Sequence, residues 1–266
     1  MIEPVSLWTD RPPRLHLAAW DGDGPPLLLL HGMGAHTHWW DACASTLMDR
    51  TRPVALDLRG HGDSDWRPDG DYTAANWVAD IEEARHVMGW ERFSLCGHSL
   101  GARIALEYAA AHPDRLSSLV AVDFLPEFGG GRFSRARSHA QPFYATKDEA
   151  LKRFRLQPDG TILDDAALAA LADLSIRKTE QGWTWKYDWR AFRYQYTPIW
   201  DLLPRVKTRA LVVRGAESKL MPQAALDRVV AGLSDARAVD VPAAHHHVPL
   251  DAPEALAAAI SAFVAP

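Results

Sequence analysis

The chain has 266 residues, 29 of them basic and 34 acidic, so it carries a net charge of −5 with neutral histidine, and 47% of it is apolar against 24% charged. That balance excludes disordered, collagen-like and coiled-coil classes. No lysine- or arginine-rich stripe is present to grip phosphates, so nucleic acid is not an expected partner. No apolar run approaches the roughly 18 residues that would suggest a membrane span. Glu3, Pro4 and Asp10 stand where a secretory leader would be basic and then apolar, so a cytoplasmic location is expected. Cys43 and Cys96 form neither a metal-ligand spacing nor a disulfide framework, which predicts two buried, reduced thiols.

In chain order, residues 15–20 alternate weakly and end at Asp21-Gly22-Asp23-Gly24, a turn signal that predicts an antiparallel edge hairpin. Short apolar runs at 26–30, 53–58 and 92–96 are bounded by turn residues and read as buried strands. Between the second and third, Trp77, Ile81, Ala84 and Met88 recur at helical spacing and place one apolar stripe against a sheet. Further strands are expected at 116–123, 209–214 and 236–241. A helix carrying Leu226, Val229, Val230 and Leu233 lies between the last two, and a terminal helix begins near Pro253. Alternating strands and helices imply a mostly parallel α/β sheet.

Residues 126–204 break this rhythm with Gly129-Gly130-Gly131, a helical stretch at 164–176 and a dense aromatic group: Trp183, Trp185, Tyr187, Trp189, Phe192, Tyr194, Tyr196 and Trp200. The segment reads as a cap inserted into a core of residues 1–125 and 205–266. Its aromatics have two readings, a satellite core or the lining of an apolar pocket.

The strongest chemical signal is Gly97-His98-Ser99-Leu100-Gly101, directly after a predicted strand and before a helix with Ile104, Ala105 and Tyr108. Small residues at both ends permit a tight strand-to-helix turn that lifts a serine hydroxyl above the sheet. The helix N-terminus offers amides to a developing oxyanion. Ser99 is therefore the candidate nucleophile. It needs a base, because a serine hydroxyl loses its proton too reluctantly near neutral pH. His245, His246 and His247 are candidates; three adjacent histidines cannot generally converge on one ion, so no metal and no cofactor is expected.

With these motifs the chain resembles the α/β-hydrolase superfamily over nearly its whole length outside the cap. The resemblance implies an eight-stranded-type, mostly parallel sheet flanked by helices. It makes His31-Gly32-Met33-Gly34 the oxyanion loop, with the backbone amides of Met33 and Leu100 as donors. It makes His61, in the stretch Asp57-Leu58-Arg59-Gly60-His61-Gly62-Asp63-Ser64, structural. Relatives commonly place the catalytic histidine seven residues before a Pro-Glu, and counting back from Pro253 lands on His246. They usually carry an aspartate three residues after the glycine ending the strand at 209–214, where this chain has Ser218. Haloalkane dehalogenases and fungal zearalenone lactonases instead place the acid after the preceding strand. Asp123 fits that place and is preferred to Glu217, which lies one residue early in the usual motif.

The resemblance thus implies a serine hydrolase that cleaves a carboxylic ester or lactone through an acyl-enzyme. A lyase or C–C bond hydrolase using the same triad, and a slow or non-catalytic small-molecule receptor, are the competing readings. The expected partner is a small apolar or aromatic substrate bound by a monomer or homodimer. His31, Gly32, His98 and Trp183 are the expected substrate contacts.

Overall fold

The computed structural model describes residues 2–127 and 140–264. The Gly129-Gly130-Gly131 run lies outside them.

In chain order the core runs β1 (Val5–Trp8), β2 (His16–Ala19), β3 (Pro26–Leu30), α1 (Asp41–Leu47), β4 (Arg52–Leu56), α2 (Ala74–Val87), β5 (Phe93–His98), α3 (Leu100–Ala111) and β6 (Leu116–Val122). The segment expected to be inserted supplies α4 (Lys147–Leu151), α5 (Asp165–Leu174), β7 (Ile176–Thr179) and β8 (Gly182–Trp185). The core resumes with β9 (Ala210–Gly215), α6 (Gln223–Gly232), β10 (Ala236–Val241), α7 (Val248–Asp251) and α8 (Pro253–Val264). Eight strands form one sheet in the order β1-β2-β4-β3-β5-β6-β9-β10, and β7 and β8 form a separate antiparallel pair.

Six strands from β4 to β10 across this order are parallel. Alternate residues feed two cores. Leu28, Leu30, Leu95, Leu119, Ala121 and Val212 face the layer of α2, α3 and α6. Leu27, Leu29, Cys96, Val120, Val122 and Val213 face the layer that includes residues of α1 and α8. Burial on both faces explains why these strands read as continuous apolar runs. Both cysteines are buried and unbridged, Cys43 from α1 and Cys96 from β5 in the same layer.

The expected edge hairpin needs correction. The turn at residues 21–24 leads from β2 to β3, but the two strands are not neighbours. β2 instead pairs antiparallel with β1 on one side and β4 on the other. The turn signal reported a change of direction without reporting the partner. The helix expected over 164–176 is shorter, because the Asp164 side chain caps it by accepting from the Ala167 amide at 2.8 Å and Ile176 already opens β7. Among the described residues no helix is long and apolar enough to cross a membrane.

Trp77 joins the inserted segment to the core. Its ring is fully buried, packs edge-on against Tyr194 at 5.1 Å and donates from Nε1 to the Arg59 carbonyl at 3.2 Å. Trp77→Ala should lower unfolding stability by about 3 to 5 kcal/mol, the usual cost of deleting a large buried ring. Urea titration with matched m-values checks it; a loss below about 1 kcal/mol would show that the ring is not integral to the core.

Candidate active site

Ser99 sits between β5 and α3 with φ of 54° and ψ of −113°, and its amide is held by the Val122 carbonyl at 2.9 Å. This strained geometry requires room on both sides. A Cβ at Gly97 would come within 2.2 Å of the Gly101 carbonyl oxygen, and one at Gly101 within 2.5 Å of the Leu30 carbonyl oxygen. Only glycine at both places lets the helix start against the strand ends. Ser99 keeps partial exposure, while His98 and Leu100 on either side are buried.

The Ser99 hydroxyl lies 3.1 Å from His246 Nε2, and His246 Nδ1 donates to Asp123 Oδ1 at 2.8 Å. Asp123 follows β6 with φ of 37° and is fully buried. Its Oδ1 also accepts from the Ser218 hydroxyl at 2.7 Å, and its Oδ2 accepts from the Gly215 amide at 2.9 Å. Burial pushes the carboxyl above the usual carboxylate range, opposed by those two hydrogen bonds, which favour the charged form. Burial, with a smaller contribution from the neighbouring His247 ring, holds His246 well below the ordinary imidazole value. The ring is therefore neutral near pH 7, the form that accepts a proton.

Of the two candidate acids, Asp123 is the one hydrogen-bonded to His246. The Glu217 side chain is exposed, and the histidine nitrogen it would need is already engaged by Asp123. Ser218, which occupies the place where an aspartate was expected, supports the displaced acid with its hydroxyl. Spacing alone marked Ser218 as a departure and gave no sign of this contact. Of the three adjacent histidines, only His246 meets Ser99. His245 points toward Gly160, where an added Cβ would lie 3.2 Å from its Nδ1, and His247 donates from Nε2 to the Pro158 carbonyl at 2.9 Å.

The oxyanion loop lies against the nucleophile: a Cβ on Gly32 would stand 3.2 Å from Ser99 Cβ. Met33 follows it in the chain, and Leu100 opens α3, where the first amides have no acceptor within the helix. His31, an expected substrate contact, has both ring nitrogens engaged by backbone. It is fully buried, receives the Leu58 amide on Nε2 at 3.1 Å and donates from Nδ1 to the Gly32 carbonyl at 2.7 Å, so it fixes the loop. His98 is likewise buried and donates from Nε2 to the His246 carbonyl at 2.8 Å, which positions the histidine loop. His61 is buried with its Nδ1 3.3 Å from the Arg59 carbonyl oxygen, and burial lowers it to about 3.

The aromatics of the inserted segment divide. Trp183, an expected substrate contact, packs with Trp185, Ala150 and Ile176 in a satellite core, with Lys147 over its ring at 5.8 Å. Tyr187 and Phe192 instead cover the oxyanion loop, where a Cβ on Gly34 would touch them at 3.6 and 3.3 Å. Trp39 stacks on His98 at 6.2 Å and belongs to a small apolar cluster with Leu156 and Leu171. A cavity of about 400 Å³ lies within the inserted segment, lined by Phe154, Arg155, Leu156, Gly160 and Leu168 among others. No triad residue lines it; Leu156 connects it through Trp39 to His98.

Asp251 was missed by the sequence reading. Its Oδ2 accepts from the His245 amide at 2.8 Å while its Oδ1 accepts from the Thr161 hydroxyl and the Ile162 amide at 2.6 and 3.1 Å. The inserted segment thereby braces the loop that carries His246.

A family model described as the alpha/beta hydrolase fold matches residues 25–188. A 2-(acetamidomethylene)succinate hydrolase from Mesorhizobium japonicum is 30% identical, over 91% of this chain and 89% of its own. A serine hydrolase-like protein from Danio rerio is 27% identical over 91% of this chain and 82% of its own. The crystal structure of an E-2-(acetamidomethylene)succinate hydrolase superposes with a TM-score of 0.82 at 26% identity, covering 98% of this chain and 99% of that one. The parallel sheet, the serine between its two close-packed glycines and these matches together establish that the chain belongs to the α/β hydrolase fold family, a family of hydrolase enzymes.

Proposed function

We propose that this protein is a serine hydrolase that cleaves a carboxylic ester or lactone through an acyl-enzyme, and that residues 126–204 act as its cap. The observation that carries the reading is the unbroken hydrogen-bond chain from Ser99 through His246 to Asp123. Ser99 attacks the carbonyl carbon while His246 Nε2 takes its proton. The imidazolium then returns that proton to the leaving alkoxide as the tetrahedral intermediate collapses, and water repeats the cycle on the acyl-serine. Asp123 holds Nδ1–H toward itself, which leaves Nε2 free to act as base. The amides of Met33 and Leu100 receive the oxyanion; in a protease with a similar hole, one such donor is worth about 3 to 4 kcal/mol.

Tyr187, Phe192 and Trp39 around the loop and His98 support an apolar or aromatic substrate. The relatives named as hydrolases support hydrolysis over the lyase and receptor readings. A panel of p-nitrophenyl esters of increasing acyl length tests the assignment. Wild type should turn over, and folded Ser99→Ala should lose at least about a thousandfold in kcat/KM. A folded Ser99→Ala protein with undiminished turnover would sink the serine mechanism.

The choice of acid is tested separately. Asp123→Asn should reduce kcat by about 10⁴-fold, because the amide favours the wrong imidazole tautomer. Glu217→Gln, a surface change, should stay within about twofold. The reverse ranking would move the acid to Glu217.

Ser218→Ala removes one hydrogen bond to a charged group worth about 1.5 to 3 kcal/mol, so kcat should fall roughly ten- to hundredfold with KM nearly constant. Unchanged kcat would show that the hydroxyl does not support the acid.

A further inference from the structure

Only His246 of the consecutive histidines is used by the proposed chemistry, yet a three-histidine cluster exists around it. One ring nitrogen from each of His98, His246 and His247 lies within 4.8 Å of the others, and all three residues are buried. The third member comes from the serine turn and not from the run, which removes the objection that three adjacent side chains cannot converge.

Two of these rings are arranged as metal-ligating histidines usually are. Such a ring donates one N–H to a carbonyl, which fixes its tautomer, and presents the other nitrogen as a lone pair. His98 donates from Nε2 to the His246 carbonyl, and His247 donates from Nε2 to the Pro158 carbonyl. In both, Nδ1 is buried without a hydrogen-bond partner. His98 is 2% and His247 1% exposed, so each orphaned lone pair forgoes solvation. Space is kept beside one of them: glycine at position 32 omits a Cβ that would stand 3.1 Å from His98 Nδ1. Trp39 walls the cluster, 6.2 Å from the His98 ring and 5.4 Å from the His247 ring.

We propose that His98, His246 and His247 form a binding site for a late first-row divalent transition ion, of the zinc, copper or nickel type, and that its occupation inhibits the enzyme. Imidazole nitrogens suit these ions, whereas magnesium and calcium prefer oxygen. Metal–nitrogen bonds of about 2.0 to 2.1 Å around a tetrahedral ion bring ligand nitrogens to roughly 3.3 Å apart, so the three ring nitrogens, now within 4.8 Å of one another, would draw together on binding. The ion reaches the cluster past the partly exposed Ser99 and takes the lone pair of His246 Nε2, which then cannot accept the serine proton. Binding stands independently of the proposed ester chemistry; the inhibitory consequence rests on it.

The test uses tag-free protein and ZnCl₂. Isothermal calorimetry on wild type should show one tight Zn²⁺ per chain, and ester hydrolysis should fall in parallel and return on adding EDTA. His247→Gln can still donate to the Pro158 carbonyl but lacks the imidazole lone pair. It should bind Zn²⁺ at least about tenfold more weakly, and whatever turnover it keeps should be correspondingly less sensitive to the ion. His245→Gln, outside the cluster, should bind and be inhibited as wild type. Should His247→Gln fail to fold, Co²⁺ spectra of wild type with and without a Gly32→Ala change, which crowds His98 Nδ1, give an independent reading of imidazole ligation. Wild type that takes up no Zn²⁺, or folded His247→Gln that binds it with unchanged affinity, would overturn the site. If no ester is turned over, calorimetry still decides binding, so failure of the catalytic reading is distinguishable from failure of this one.

Discussion

The arrangement depends on satisfying one buried carboxylate. Asp123 has no solvent to turn to, and its two oxygens are met by the His246 ring, the Ser218 hydroxyl and the Gly215 amide. Those donors come from the loop after β10 and from the end of β9, while Asp123 follows β6. A single charge thereby ties three chain segments together at the carboxyl edge of the sheet, where binding crevices of open α/β sheets form. The backbone yields to this demand. Among the described residues, the non-glycine positions with positive φ are Ser99, Asp123 and Ala243. Each lies just past a strand, on a segment that carries a member of the triad. Strain of about 1 to 3 kcal/mol per residue persists only where its surroundings over-determine it, and here the hydrogen-bond chain supplies that determination.

The inserted segment takes part in the same constraint. Thr161 and Ile162, bonded to Asp251, and the Pro158 carbonyl hold the histidine loop from one side. On the other, the Asp188 amide donates to the Gly60 carbonyl at 2.8 Å, and the Tyr72 hydroxyl donates to the Asp188 carboxylate at 2.7 Å. Tyr187 and Phe192 then rest on the oxyanion loop. The segment thus touches the loop that carries His246 on one side and the loop at Gly34 on the other.

The sequence made the central parallel strands, the serine turn and the position of His246 legible because each depends on local signals: apolar runs, small residues at fixed offsets, a count back from Pro253. What it concealed was pairing at a distance. β1 carries exposed residues and no strong pattern, and β2 joins β4 across the chain instead of its sequence neighbour β3. The β7–β8 hairpin was hidden in the aromatic tract, whose side chains serve a satellite core at Trp183 and Trp185 and the oxyanion loop at Tyr187 and Phe192. His31, expected among the substrate contacts, opens the loop that the resemblance makes the oxyanion loop. Its two nitrogens are consumed by the backbone of its own loop and of Leu58, a fact visible only in three dimensions. Ser218 was the plainest case: a missing acid in the motif was in fact a donor to the acid placed elsewhere.

In the proposed chemistry the burial that keeps His246 neutral suits it to act as a base, and it equally suits it to the proposed metal site. A neutral, desolvated imidazole with Nδ1 tied down and Nε2 open is what proton abstraction from Ser99 needs, and it is what a late transition ion seeks. A more exposed imidazole would be better hydrated and less poised in either role. Solvation cannot discriminate between the two outcomes, so the neighbours must. With a Gln at position 247 the lone base remains; with histidines at 98 and 247, both holding unused lone pairs beside it, the base becomes one tooth of a chelate. In the proposed site His98 and His247, which the proposed hydrolytic step does not use, are what would turn a lone base into a chelate.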